Sequence, residues 1–83
     1  MKITVRYFAS VREAVGQGDE QVQTCAGSLA ALRDELIARG PPYAGALARG
    51  KSVRMALNQL MADESTALAD GAEVAFFPPV TGG

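Results

Sequence analysis

Residues 28–40 admit only one regular structure, and the rest of the chain must accommodate it. Ser28 is a good helix N-cap, after which Leu29, Leu32 and Leu36 recur at helical spacing with Ile37 alongside. Ala31 stands where a capping box would place Glu or Gln, so only half of that motif is present. Gly40 followed by Pro41-Pro42 is a strong stop: a left-handed residue, then two that cannot continue a helix. Arg33, Asp34, Glu35 and Arg39 are expected on the remaining surface, and the leucine stripe is expected to be core. This is the one long helix the sequence predicts, and a chain of 83 residues has little else with which to cover its stripe.

What covers it must be sheet. Residues 1–8 alternate, with Ile3, Val5 and Tyr7 on one side and Lys2, Thr4, Arg6 and Phe8 on the other. Residues 9–15 suit a short helix ending at the loop Gly16-Gln17-Gly18-Asp19, and residues 20–25 read as a polar edge strand antiparallel to the first. Residues 43–51 show no period and read as a connector. Residues 52–58 alternate again, with Val53, Met55 and Leu57 opposed to Arg54, Ala56 and Asn58. Asn58-Gln59 turns the chain into a very short strand at 60–62, and Asp63-Glu64-Ser65 is loop. Leu68 is an isolated apolar anchor, and Asp70-Gly71 makes a tight turn into a last strand at 73–77. There Val74 and Phe76 share one side, Ala75 and Phe77 the other. The first and last strands are the most apolar and are expected to be central neighbours. The economical arrangement is α+β: a mixed sheet with one long helix packed across one face, as in the β-grasp. Residues 1–77 form that domain, and residues 78–83 form an extended tail leaving a central strand.

Several function classes are disfavoured by what the chain lacks. A formal net charge of −1 with scattered Lys and Arg argues against a nucleic-acid partner. No apolar stretch approaches the length of a membrane span, and the N-terminus has no signal-peptide pattern. The single Cys25 cannot form an internal disulfide, which agrees with a reducing cytoplasm, and it is expected to be small and partly buried. With no His, Cys25 has no base to activate it, and a Cys/His metal site is excluded. Gly16-Gln17-Gly18 does not extend into a nucleotide fingerprint, and the pairs Asp34-Glu35 and Asp63-Glu64 read as solvated surface.

The remaining reactive group is the α-carboxylate of Gly83, carried on Pro78-Pro79-Val80-Thr81-Gly82-Gly83. Paired prolines make a stiff stalk, and two glycines make a thin tip that fits a narrow slot in another protein. Small residues also gather at fraying termini, but the lack of any other reactive group favours the tip. A carboxylate is a poor electrophile and needs activation, for which adenylation by ATP on a partner enzyme would supply a leaving group. Attack by sulfur then gives a thiocarboxylate; attack by lysine gives an isopeptide. Phe8 and Phe77 fall opposite the core residues of their strands. If those strands are neighbours, both rings lie near the base of the tail, with Leu60 as a third member of an apolar docking patch. The alternative is that short loops or residues 9–15 cover them.

Tyr7-Phe8-Ala9 with Arg12-Glu13, the Asn58-Gln59 turn, Leu68-Ala69-Asp70-Gly71 with Glu73-Val74, and the ending Phe76-Phe77-Pro78-Pro79-Val80-Thr81-Gly82-Gly83 together resemble the small subunit of molybdopterin synthase. Ala72 departs from the acidic residue often found after the Asp-Gly pair. The resemblance implies a ubiquitin-like β-grasp fold and a sulfur-carrier role in molybdenum cofactor biosynthesis. It implies that Gly83 is adenylated by an ATP-dependent activating enzyme and becomes a thiocarboxylate. Its sulfur then passes to cyclic pyranopterin monophosphate inside the large subunit, within a heterotetramer. Gly82 would be the thin spacer, Pro78, Pro79, Val80 and Thr81 would line the approach, and Phe8, Leu60 and Phe77 would dock. No cofactor is expected on this chain itself, and the location implied is cytoplasmic. Rival readings are a sulfur carrier for thiazole synthesis, a ubiquitin-like protein modifier, and a β-grasp interaction module with a dispensable tip.

Overall fold

Strand β1 (Lys2–Tyr7) opens the chain, and the computed structural model, which describes residues 1–79, closes on strand β5 (Glu73–Phe77) beside it. Between them run α1 (Ala9–Val15), β2 (Asp19–Gln23), α2 (Leu29–Ile37), α3 (Tyr43–Ala46), β3 (Arg54–Leu57) and β4 (Leu60–Ala62). The five strands form one sheet in the order β2-β1-β5-β3-β4. β1 and β5 pair in parallel, Val5 opposite Val74 and Tyr7 opposite Phe76, while every other pairing is antiparallel. The first and last strands are therefore central, as their composition predicts.

The alternation of β1 and β5 sends Ile3, Val5, Tyr7, Val74 and Phe76 to one side, where all are fully buried. Leu29, Leu32 and Leu36 of α2 join them in the same cluster with no exposed surface. Burying a leucine in this way stabilises by about 1.5–3 kcal/mol over leaving it in water. The helix ends follow the expected chemistry. Ser28 Oγ accepts from the amide of Ala31 at 3.2 Å, and Gly40 takes the left-handed φ of 83°. β2 contributes only Val22 to the core, which suits an edge strand. Asp70-Gly71 clips the start of β5 to the start of β1. Asp70 Oδ1 accepts from the Lys2 amide at 2.8 Å, and the Gly71 amide donates to the Lys2 carbonyl at 2.8 Å.

Three local expectations fail for physical reasons. Residues 43–51 are not a plain connector, since Tyr43–Ala46 is a short helix that drives Ala46 and Leu47 into the core. Arg33 is not on the helix surface but 5% exposed. Its Nε donates to the Leu47 carbonyl at 2.8 Å, and its Nη2 to Ala48 at 2.8 Å and Lys51 at 3.3 Å. Those carbonyls follow a helix of four residues and have no strand partner, so a planar five-donor fork satisfies them where water cannot. Cys25 is exposed rather than partly buried. Its neighbours Thr24 and Ala26 turn inward, the Thr24 hydroxyl donating to Glu35 at 2.8 Å and accepting from the Ala26 amide at 2.9 Å.

Candidate functional site

The face of the sheet away from the leucine cluster carries the other half of each alternation. Phe8 follows Tyr7 and lies alongside the β5 end, its amide donating to the Phe76 carbonyl at 3.1 Å. Its own carbonyl accepts from Val11 and Arg12, and Ala9 takes a positive φ of 52° to turn directly into α1. α1 therefore leaves the sheet without covering the ring, and Phe8 is 43% exposed. Phe77 is half-buried on the same face, one residue before Pro78. The two residues are thus neighbours in register where the tail begins, and the alternative of complete covering does not hold for Phe8.

Leu60 does not join them. The Asn58-Gln59 turn has left-handed φ values of 50° and 70° and pairs Leu57 with Leu60 and Ala56 with Met61. Leu57 in turn pairs with Val74, a core residue, so Leu60 belongs to the covered side although β4 is too short to bury it. Met61 shares the open face, along the row Arg6, Ala75, Ala56, Met61, and is 63% exposed. The signal was available in the sequence. A two-residue turn fixes which positions face each other, and a shift of one residue changes the face. The open face therefore presents Phe8, Phe77 and Met61 around the two small side chains Ala56 and Ala75.

Its polar rim is basic and acidic in turn. Arg6 lies 3.8 Å from Glu73 and its guanidinium sits 5.7 Å over the Phe8 ring centre. Arg54 is exposed and in register with Phe77. Asp63 is held below its ordinary carboxyl range by hydrogen bonds from the hydroxyl and amide of Ser65. Beside the start of the tail, α1 and the segment before β3 enclose a groove of about 240 Å³, with Val11, Ala46, Lys51 and Pro78 among its walls.

The strongly perturbed groups lie elsewhere. Burial and the hydrogen bond to Glu20 push the Tyr7 hydroxyl far above its usual range. Burial opposes the charge on Glu20, but hydrogen bonds from Arg39, Tyr43 and Tyr7 outweigh it and hold the carboxyl below its usual range. These groups face one another on the covered side of the sheet. Among the described residues, no group of three or more His, Cys, Asp or Glu side chains is placed to hold a metal ion, and no helix is long and apolar enough to cross a membrane. Pro78 and Pro79 follow Phe77 on the central strand; Val80, Thr81, Gly82 and Gly83 lie outside the described residues.

Known proteins share this layout. The ThiS family matches residues 5–83. The molybdopterin synthase sulfur carrier subunit of Escherichia coli is 44% identical over 98% of this chain and 99% of its own. Among solved structures, the Helicobacter pylori protein–protein complex of subunits 1 and 2 of molybdopterin-converting factor contains a chain that superposes with a TM-score of 0.69 at 27% identity, covering both chains fully. The small archaeal modifier protein SAMP1 of Haloferax volcanii superposes with a TM-score of 0.77 at 25% identity, again over both full chains. The ubiquitin-like β-grasp expected from the sequence is thus the fold. By a match running from β1 to the last glycine, the chain belongs to the ThiS family and is a relative of the molybdopterin synthase sulfur carrier subunits.

Proposed function

We propose that this chain is the sulfur-carrying small subunit of a molybdopterin synthase. The observation that carries the reading is the union of an exposed apolar face with a family match through Gly83, the face lying at the root of the tail. The domain is the handle and the tail is a tethered substrate. An ATP-dependent activating enzyme joins the Gly83 carboxylate to AMP with release of pyrophosphate, sulfide-level sulfur from a donor attacks the acyl carbon and expels AMP, and the tip becomes a thiocarboxylate. The tail then enters the large subunit, Pro78, Pro79, Val80 and Thr81 lining the approach and Gly82 passing the narrowest point. There the sulfur is transferred to cyclic pyranopterin monophosphate, and a second thiocarboxylate delivers the other sulfur of the dithiolene, each tail returning to the carboxylate. Phe8, Phe77 and Met61 dock on the large subunit within a heterotetramer. On this reading the chain needs no cofactor of its own and works in the cytoplasm beside the ATP-dependent activating enzyme.

Two measurements test this. Intact-mass spectrometry of the native protein is expected to show a fraction with one oxygen replaced by sulfur at the C-terminus. Deleting Gly83 is expected to abolish molybdoenzyme activity in the host while the domain stays folded; normal activity would overturn the proposal. The likeness to the archaeal modifier supports one rival, in which lysine attacks the adenylate instead. Ladders of tagged conjugates on many proteins would favour that rival.

A further inference from the structure

The open face has a charge asymmetry that its apolar residues do not explain. Across it the register places Asp19 opposite Arg6, and Arg6 lies 3.8 Å from Glu73, so this cation sits between two carboxylates. Arg54 occupies the neighbouring row, opposite Phe77, and is exposed. Among the described residues no carboxylate lies within ion-pair distance of it; Arg6, Arg33, Arg39 and Arg49 are paired, and Arg12, which lies on α1 rather than on a strand of this face, is the other arginine without a partner. The acidic residue nearest in register is Asp63, which follows Ala62, the partner of Met55. Its carboxylate is already engaged by the Ser65 amide at 2.9 Å, the Ser65 hydroxyl at 2.5 Å and the Thr66 hydroxyl. An exposed arginine is thus carried on a strand, in register with a half-buried phenylalanine that lies one residue from where the tail starts.

We infer that Arg54 recognises a carboxylate on the large subunit, an Asp or Glu side chain placed at the rim of the apolar pocket that takes Phe8 and Phe77. The inference rests on the docking role proposed above and adds the chemistry of the partner's rim. A planar fork suits a carboxylate in two-point contact. At a solvated rim such a pair acts mainly on encounter rate and orientation, because long-range attraction survives there while desolvation is slight. Orientation matters for a tethered substrate, since the apolar face alone permits docking with the tail aimed away from the partner's slot.

The test is association of the full chain with the purified large subunit, followed by stopped-flow or surface-plasmon kinetics at low and high ionic strength. Arg54→Glu is expected to slow association about tenfold at low salt and Arg54→Gln about threefold, both differences shrinking toward unity near 0.5 M salt, with dissociation little changed. Lys2→Glu makes the same charge change on the same face about 20 Å away along β1 and is expected to alter association less than twofold. Equal slowing by Lys2→Glu would reduce the effect to net charge and overturn the assignment, as would wild-type association rates for Arg54→Glu. Thermal melting of each variant separates misfolding from lost recognition. If removing Gly82 and Gly83 abolishes the difference between Arg54 and Gln, the carboxylate served is the chain's own terminus and the inference fails. Failure of the wild-type chain to bind the large subunit would instead sink the docking role itself.

Discussion

The two faces of the sheet carry comparable apolar residues and treat them oppositely. On the covered face Tyr7, Phe76, Val5 and Val74 are fully enclosed with the leucines of α2, and the polar groups there are tied off. Glu20 alone accepts from the Tyr7 hydroxyl at 2.9 Å, the Tyr43 hydroxyl at 2.9 Å, Gln17 at 3.0 Å and Arg39 at 2.9 Å. On the open face Phe8 and Met61 remain exposed to water, at 43% and 63%. Burial on one side stabilises the fold; exposure on the other leaves free energy available to a partner. The largest effect should therefore come from crossing between them. Phe76→Ala is expected to cost about 3–5 kcal/mol, most of the stability of a small domain. Phe8→Ala is expected to cost less than about 1 kcal/mol while weakening large-subunit binding at least tenfold. Chemical denaturation and calorimetric titration read the two quantities separately. A Phe8 variant that unfolds as readily as the Phe76 variant would break the comparison.

A smaller effect should come from the polar half of the covered face. The folded-state pKa of Glu20 lies below its unfolded value because donated hydrogen bonds outweigh the penalty of burial. Its contribution is therefore complete above the unfolded carboxyl pKa of about 4.3 and is lost as pH falls through the lower folded value. Glu20→Gln is expected to remove about 1–3 kcal/mol at neutral pH, since a charge-assisted acceptor for several donors becomes a neutral one. The wild type should lose a similar amount in acid, where the variant's stability changes less. Denaturation midpoints measured from pH 7 down to pH 3 would show the two curves converging. Parallel curves would mean that the network adds no net stability. Docking at neutral pH should not change, because Glu20 lies on the other side of the sheet from Phe8.

Regular periods made most of this architecture legible. The leucine stripe, its Ser28 cap and Gly40 stop, the central placing of β1 and β5, and the polar edge at β2 all follow from local patterns, each stating its own face. What was not legible depended on neighbours distant in the chain. Arg33 looks like a solvated helix residue until α3 leaves three carbonyls above it. α3 itself has four residues, too few to show a period. Cys25 follows a strand end, where inward and outward positions depend on how Thr24 bonds to Glu35. The site divides in the same way. Phe8 and Phe77 are read from alternation alone, whereas the face of Leu60 depends on the register across the Asn58-Gln59 turn.

That last point also yields the smallest and most discriminating contrast. Leu60 and Met61 are adjacent, both apolar, and 73% and 63% exposed, so composition and burial do not distinguish them. Only the pairing of Leu57 with Leu60 and Ala56 with Met61 sends them to opposite faces. Neither truncation should move stability by more than about 0.5 kcal/mol, because each side chain is mostly in water already. Met61→Ala should weaken binding to the large subunit by about 1 kcal/mol, roughly fivefold, through lost contact with the pocket that takes Phe8 and Phe77. Leu60→Ala should leave binding unchanged. The reverse pattern would place the contact along the outer edge of β4 rather than on the open face. Equal losses would mean that the partner wraps that edge and holds both sides, so the face alone would no longer define the interface.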